Sequence, residues 1–290
     1  MTKNITAILL AIFLCNTGLN AQSLMQGMED SLPPNEKVSG AFKSTRVINA
    51  HSVEMLHKRN LDFRIMHRFG FLNSGVKQLY GLDNASMRIS FDYGITDNTT
   101  IGFGRSTFRK ELDLFVKTRI LQQSTGQKAI PFSLVIAAGG LCWTEESFAT
   151  VKPTFSDRTS YYVQLVAGRK FSPAFSLQLS PIVVHSGSPV NTGDDATVFA
   201  MGGGARLKVS KRMALTLDYH HPFGKLNAVN SDPLSVGVDI ETGGHVFQLQ
   251  FSNATGMNER AYIMQTTGKF FKGDIRFGFN LSRIFKVGKK

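Results

Sequence analysis

Near the end of the chain Ile275, Phe277, Phe279 and Leu281 alternate with Asp274, Arg276, Gly278, Asn280 and Ser282. Successive side chains of an extended strand point to opposite faces, so Gly273 to Phe285 has one apolar face and one polar face. The same period-2 pattern recurs back to about residue 60 and predicts twelve strands. They cover residues 60–70, 85–94, 99–108, 110–122, 129–142, 158–170, 174–186, 195–209, 213–221, 234–241, 244–253 and 273–285. The apolar sets are clearest in Met87, Ile89, Phe91, Tyr93 and in Met213, Leu215, Leu217, Tyr219. Most of these segments have the ~9–11 residues that a tilted strand needs to cross a bilayer.

The connections carry a second signal. Ile95-Thr96-Asp97-Asn98, Ser172-Pro173, Ser210-Lys211-Arg212 and Thr242-Gly243 are short, and each follows an even-numbered strand. The connections around 71–84, 143–157, 222–233 and 254–272 are longer and follow odd-numbered strands. Alternating short turns and long loops is the pattern of a transmembrane antiparallel β-barrel, with turns on the periplasmic side and both termini there. The short connection after the third strand is the exception. A soluble sandwich or lipocalin-like barrel shares the alternation but turns the apolar face inward.

The segment before the strands changes the choice between them. Lys3, the apolar run Ile5 to Leu14 and the small residue in Leu19-Asn20-Ala21 have the layout of an export signal. A lipid-anchored reading through Cys15 lacks the small residues wanted before the cysteine. The expected organisation is therefore a signal peptide over 1–21, an N-terminal periplasmic extension over 22–59, and an outer-membrane β-barrel over 60–290. Within the extension, Ser31-Leu32-Pro33-Pro34-Asn35 is a break. Residues 41–56 have mixed periodicity, either as a short periplasmic element or as a segment tucked into the barrel mouth.

After such cleavage only Cys142 remains, which excludes a disulfide and a thiolate metal site. Charged residues are 19% of the chain, and no later run approaches the ~18 apolar residues of a spanning helix. The net charge is +12, but Lys and Arg are scattered through strands and turns, not clustered as a nucleic-acid binder needs. The chain holds 23 Phe and one Trp, an aromatic richness that favours a lipid-facing wall.

If the apolar parity meets lipid, Phe91, Leu217, Phe277 and Phe279 are lipid-facing. The opposite parity then lines the lumen with Arg64, Arg68, Arg88, Asp92, Asp113, Lys117, Arg119, Asp218, Asp239, Gln248, Gln250 and Arg276. Basic groups outnumber acidic ones in that set, which favours anions weakly, and opposite signs can also cross a narrow barrel and fill it. On this reading Arg is costly at Phe277 or Phe279 and mild at Asn280.

Candidate chemistry is sparse. His185-Ser186-Gly187-Ser188 with Asn191 invites comparison with an outer-membrane phospholipase, but such an enzyme wants Ser two residues after His, where Gly187 stands. His220 and His221 are adjacent and face opposite ways, so they do not share a metal. Asp194-Asp195 lacks the ligand spacing of a calcium loop. Gly102-Phe103-Gly104 and Gly202-Gly203-Gly204 lack the Lys-Ser/Thr of a phosphate loop and read as close backbone approaches within strands. No catalytic residue, metal or cofactor is expected.

Three segments resemble an uncharacterised family of bacterial outer-membrane β-barrel proteins, a domain of unknown function. They are Leu61–Ile65 with His67–Gly70, Asp92–Thr96 through Ile101–Ser106, and Gly237–Leu249 with the closing Gly273–Phe285. The similarity runs from about residue 41 to the end. It implies a bacterial outer membrane as the location, and it brings no catalytic or binding residues. The tail Lys286–Lys290 departs from a barrel ending on an aromatic residue, and Phe285 is then the expected signal to the barrel-assembly machinery. The expected partners are outer-membrane lipid, that machinery and small solutes. The expected function is a non-enzymatic narrow pore or transport-related channel. The alternatives are a non-conducting barrel that binds a partner through its loops or N-terminal extension, and thirdly a membrane enzyme of phospholipase type.

Overall fold

A computed structural model describes residues 35–148, 152–189, 191, 193–226, 230–242 and 245–288. The expected signal peptide lies outside the described residues. Twelve antiparallel strands close into one barrel. In chain order they are β1 (Asn60–Phe71), β2 (Ala85–Thr96), β3 (Thr99–Ser106), β4 (Glu111–Leu121), β5 (Ser133–Trp143) and β6 (Thr159–Lys170). They continue as β7 (Phe175–Ser186), β8 (Thr197–Lys208), β9 (Met213–Phe223), β10 (Leu234–Thr242), β11 (His245–Ser252) and β12 (Arg276–Lys286). Each strand pairs with its sequence neighbours, and β12 closes on β1 with Phe279 opposite His67 and Lys286 opposite Asn60. All twelve predicted strands are present. Closure leaves no unpaired edge, so every strand can satisfy its backbone groups without water.

The faces divide as the alternation demands. Phe91, Leu217, Leu114 and Leu177 point outward and are exposed, while Arg64, Arg68, Arg88 and Asp218 point inward and are buried. Phe277 and Phe279 share the outward parity and stack on Phe69 and His67 across the seam. A soluble protein rarely exposes so continuous an apolar surface, and here it runs around the barrel wall. Among the described residues no helix is long and apolar enough to cross a membrane, so the crossing elements are strands.

The connection after β3 is a tight turn, Phe108–Lys110, with Arg109 and Lys110 at positive φ. It is the one connection at the long-loop end that stays short, and the strand count stands. At the opposite end, the connection after β4 carries Ser124–Thr125, which pairs with Glu36–Lys37 in a two-residue ladder. Two short helices lie in long loops: α1 (Phe155–Arg158) after β5 and α2 (Glu259–Met264) after β11.

The barrel is not hollow. Residues 41–53 are almost entirely buried and fold as a hairpin inside the wall. Val47 N–H donates to Ala50 O and Ser52 N–H donates to Thr45 O, so 45–52 is the hairpin tip. Ser39 O accepts from Lys170 at the short-turn end, and Arg59 N–H donates to Gly94 O at that same end. The segment enters and leaves through one mouth. From the other end, the loop after β11 turns inward and buries every residue of α2.

Candidate functional site

The two in-folded segments meet at mid-barrel. Arg46 of the hairpin and Glu259 of α2 form an ion pair at 2.8 Å, with both side chains 1% exposed. His51 Nε2 lies 3.3 Å from the same carboxylate and 3.0 Å from Tyr162 Oη. Arg46 also donates to Asn49 O, which holds the tip in shape. Arg260 donates to Glu111 at 2.6 Å, and Asn258 Nδ2 donates to the other oxygen of that carboxylate.

The wall grips the hairpin mainly with polar groups. Asp218 on β9 accepts the backbone N–H groups of Ile48, Asn49 and Ala50 on one carboxylate oxygen, at 3.3, 2.8 and 3.0 Å. A turn whose N–H groups converge is an anion cradle, and here the anion is a side chain of the wall. Gln248 donates to Val47 O and Asn280 donates to Ile48 O, so β11 and β12 hold the carbonyl side of the tip. From β1, Arg68 donates to Asn49 Oδ1 at 2.8 Å and Arg64 donates to Thr45 Oγ1 at 2.7 Å. Lys117 on β4 donates to Thr45 O and Glu54 O.

The remaining charges bind one another along the wall. Arg88 and Asp113 form a buried two-pronged pair that reaches across β3. It passes over Gly104, where an added Cβ would collide with the guanidinium. Gly102 makes the same room for the Phe115 ring and the Asp92 carboxylate. Two strand glycines that tempt a phosphate-loop reading are thus spaces for neighbouring side chains. Asp239 accepts from Gln248, and Gln250 lies buried beside Asn280 and Arg68. Arg119 is half-buried and donates to Gln122, and Arg276 is half-buried over the Phe71 ring.

Several lumen groups were not in the set read from the alternation. Asp62, Glu111 and Arg206 are also buried inside, which brings the two signs close to balance and removes the expected anion bias of the wall as a whole. The interior also has an apolar sector. Phe115, Leu141, Tyr162, Ile182, Val184 and Val198 pack against Ala50, Ile263 and Met264. Nearer the short-turn end, Val135 and Val166 pack on Phe42, Val47 and Val53. The sequence signal for this sector is a run apolar at both parities, such as Leu134 to Ala138 or Ile182 to Val184.

The phospholipase-like residues do not assemble. His185 points outward, with Nδ1 2.8 Å from Thr197 Oγ1 and its ring stacked on Tyr161. Ser186 points inward and accepts from Arg260, while the Ser188 hydroxyl donates to Pro189 O. A nucleophile needs its base within hydrogen-bond reach, and these side chains lie on opposite faces. His220 faces Asp218 inside and His221 faces Asp232 outside. No group of three or more His, Cys, Asp or Glu capable of holding a metal occurs among the described residues.

The fold is similar to solved outer-membrane barrels at low sequence identity. The KdgM porin is 8% identical, with 79% of this chain and 99% of that one covered and a TM-score of 0.44. The outer membrane protein Omp33 of Acinetobacter baumannii is 10% identical, with 79% and 99% covered and a TM-score of 0.40. LpxR from Salmonella typhimurium is 12% identical, with 79% and 100% covered and a TM-score of 0.35. No curated protein matches the sequence. A closed antiparallel barrel with an apolar outer face and a polar, filled interior is an outer-membrane protein by its physics. Residues 42–285 match the family described as a membrane bound beta barrel domain (DUF5777), and the chain belongs to that family of bacterial outer-membrane barrels.

Proposed function

We propose that the protein is a non-enzymatic conduit for small solutes, held closed in this state by the hairpin of residues 41–56. The observation that carries this reading is the asymmetry of the two in-folded segments. Helix α2 covers an apolar sector of the wall, including Ile182, Val184 and Val198. Withdrawing it exposes that sector to water, which costs about 25 cal/mol per Å² of apolar surface. The hairpin is held by Asp218, Gln248, Asn280, Arg68, Arg64 and Lys117, through hydrogen bonds that water can replace, and its apolar contacts with the wall include those of Phe42, Val47 and Val53 with Val135 and Val166. The wall gives α2 the larger apolar sector and the hairpin chiefly two valines, so on this reading the hairpin is the movable part and α2 the fixed one. The path it vacates is lined by the polar groups of β1, β4 and β9–β12 and, on its other side, by Val135 and Val166 of β5 and β6.

A locked hairpin tests the reading. Asn49 Nδ2 lies 3.2 Å from Ser235 Oγ. Asn49→Cys with Ser235→Cys, in a background lacking Cys15 and Cys142, joins the tip to β10 on oxidation. In planar bilayers the reduced protein is expected to show discrete conductance steps that oxidation abolishes. A folded, heat-modifiable barrel that stays silent in the reduced, oxidised and hairpin-deleted forms sinks the conduit and leaves the partner-binding barrel in its place.

A further inference from the structure

The long-loop end of the barrel holds a cavity of about 390 Å³ between the ends of β1, β2 and β12 and the turn after β3. Three arginines line it, Arg68, Arg109 and Arg276, against one acidic residue, Glu145. The Glu145 carboxylate is exposed and pairs with Arg109 at 3.7 Å. The local charge is therefore positive even though the wall as a whole is close to balance.

The hydrogen-bond account of this cavity is incomplete in one direction. Arg68 and Ser86 face each other across β1 and β2, and both are more than nine-tenths buried. Arg68 Nε and Ser86 Oγ have no hydrogen-bond partner among the described residues, and Arg276 Nε has none either. A buried donor left without a partner costs about 1–3 kcal/mol, and more when it carries charge. Three such groups around one cavity, all able to donate, call for an acceptor that brings negative charge. The unpartnered guanidinium atoms are the two Nε–H groups, and charged N–H donors of this kind bind carboxylate and phosphate oxygens strongly. The volume falls within the ~300–1,000 Å³ of small-molecule sites. Phe108 supplies an apolar side to the same space.

We propose that this outer vestibule binds a small soluble anion bearing a carboxylate or phosphate group, held by Arg68 and Arg276 with the Ser86 hydroxyl donating. The site lies on the inward parity of β1 and β2, away from the lipid-facing wall. Arg68 also donates to Asn49 at the hairpin tip, so a bound anion competes with Asn49 for one guanidinium. That coupling rests on the conduit reading; the binding itself does not.

The sole tryptophan supplies the probe, because the Arg109 guanidinium lies 4.5 Å from the Trp143 ring centroid. Full-length protein in detergent micelles is titrated with inorganic phosphate and, separately, with succinate, each replacing chloride at constant ionic strength. A saturable change in Trp143 fluorescence is expected, with the half-saturation concentration raised at least tenfold by Arg276→Gln. Equal half-saturation in wild type and in folded R276Q overturns the site. So does the absence of both a saturable change and calorimetric heat with the unaltered protein, which decides the matter if R276Q does not fold. A response seen only with phosphatidylglycerol vesicles, and with neither soluble anion, overturns the soluble ligand. Because no current is measured, a failed conductance experiment and a failed binding experiment remain distinct.

Discussion

The contact between the two in-folded segments can be broken with one substitution and restored with a second. Arg46→Met removes the guanidinium and leaves the Glu259 carboxylate buried, with His51 as its near neighbour at 3.3 Å. Both members of the wild-type pair are 1% exposed, so the survivor has no solvent to turn to. Removing one partner of a buried ion pair costs about 3–5 kcal/mol. The chain has an escape that a solid core lacks, because withdrawing the hairpin rehydrates the surviving charge. The cost therefore falls on the docked state. At about 1.4 kcal/mol per tenfold, the docked fraction relative to the withdrawn one drops roughly a hundred- to a few-thousand-fold. Glu259→Met makes the same error from the other side, leaving the Arg46 guanidinium on Asn49 O beside Phe115 without its carboxylate. Replacing both members with apolar side chains is often neutral, so R46M/E259M is expected to return to within about 1 kcal/mol of wild type. The readout is the rate of thiol labelling at Ala50→Cys, a fully buried tip position, in a background without Cys15 and Cys142. Labelling of R46M at the wild-type rate refutes the reasoning. So does a double variant that labels as fast as the two single effects combined.

Leu217→Arg, at the middle of β9 on the outer face, is expected to lower stability by about 2–4 kcal/mol in urea unfolding from lipid vesicles; a loss under 1 kcal/mol argues against lipid contact there. Gly104→Ala forces a methyl group against the Arg88–Asp113 pair and is expected to cost about 1–3 kcal/mol in the same assay, whereas Gly203→Ala, which meets nothing closer than 4.0 Å, is expected to be nearly neutral. Asp97, in the turn after β2, accepts from the Lys58 backbone N–H and faces His57, and these contacts hold its carboxyl below the usual range. A depressed carboxyl stabilises above its ordinary value near ~4 and loses that effect as pH falls through the folded value. Proteolytic cleavage around Lys58 is therefore expected to accelerate on acidification below about pH 4 in wild type, and to be insensitive to that change in Asp97→Asn.

The strands were legible because lipid and lumen impose opposite demands on alternate residues, and β2, β9 and β12 obey both. Their connections were legible because the short turns carry Asp, Asn, Ser or Gly. The hairpin was not, for a physical reason. Its residues face a polar wall at Asn49 and an apolar one at Val47 and Val53, so no single period survives over 41–56. Helix α2 has six residues, too few for a 3.6-residue repeat to emerge. Asn280 illustrates the cost of missing both. The alternation alone makes Arg mild there, yet Asn280 donates to Ile48 O and accepts from Arg68, so Arg is expected to be disruptive there instead. The inward apolar positions of β5–β8 were hidden for a related reason: a strand covered on both faces shows no alternation to read.

The hairpin limbs share one mouth, and the loop bearing α2 enters and leaves through the other. Neither segment passes through the barrel, so neither is threaded, and each can be drawn out along the axis without any wall strand parting from its neighbour. The two inserts behave as stoppers seated from opposite ends of a tube. They touch end to end through Glu259, which meets Arg46 and His51. A steady outward pull on residues 35–38 would first break the ladder between Glu36–Lys37 and Ser124–Thr125, then unseat the hairpin, and only then reach the sealed wall. A pull of this kind can unseat one stopper and leave the other, together with the closed sheet, in place.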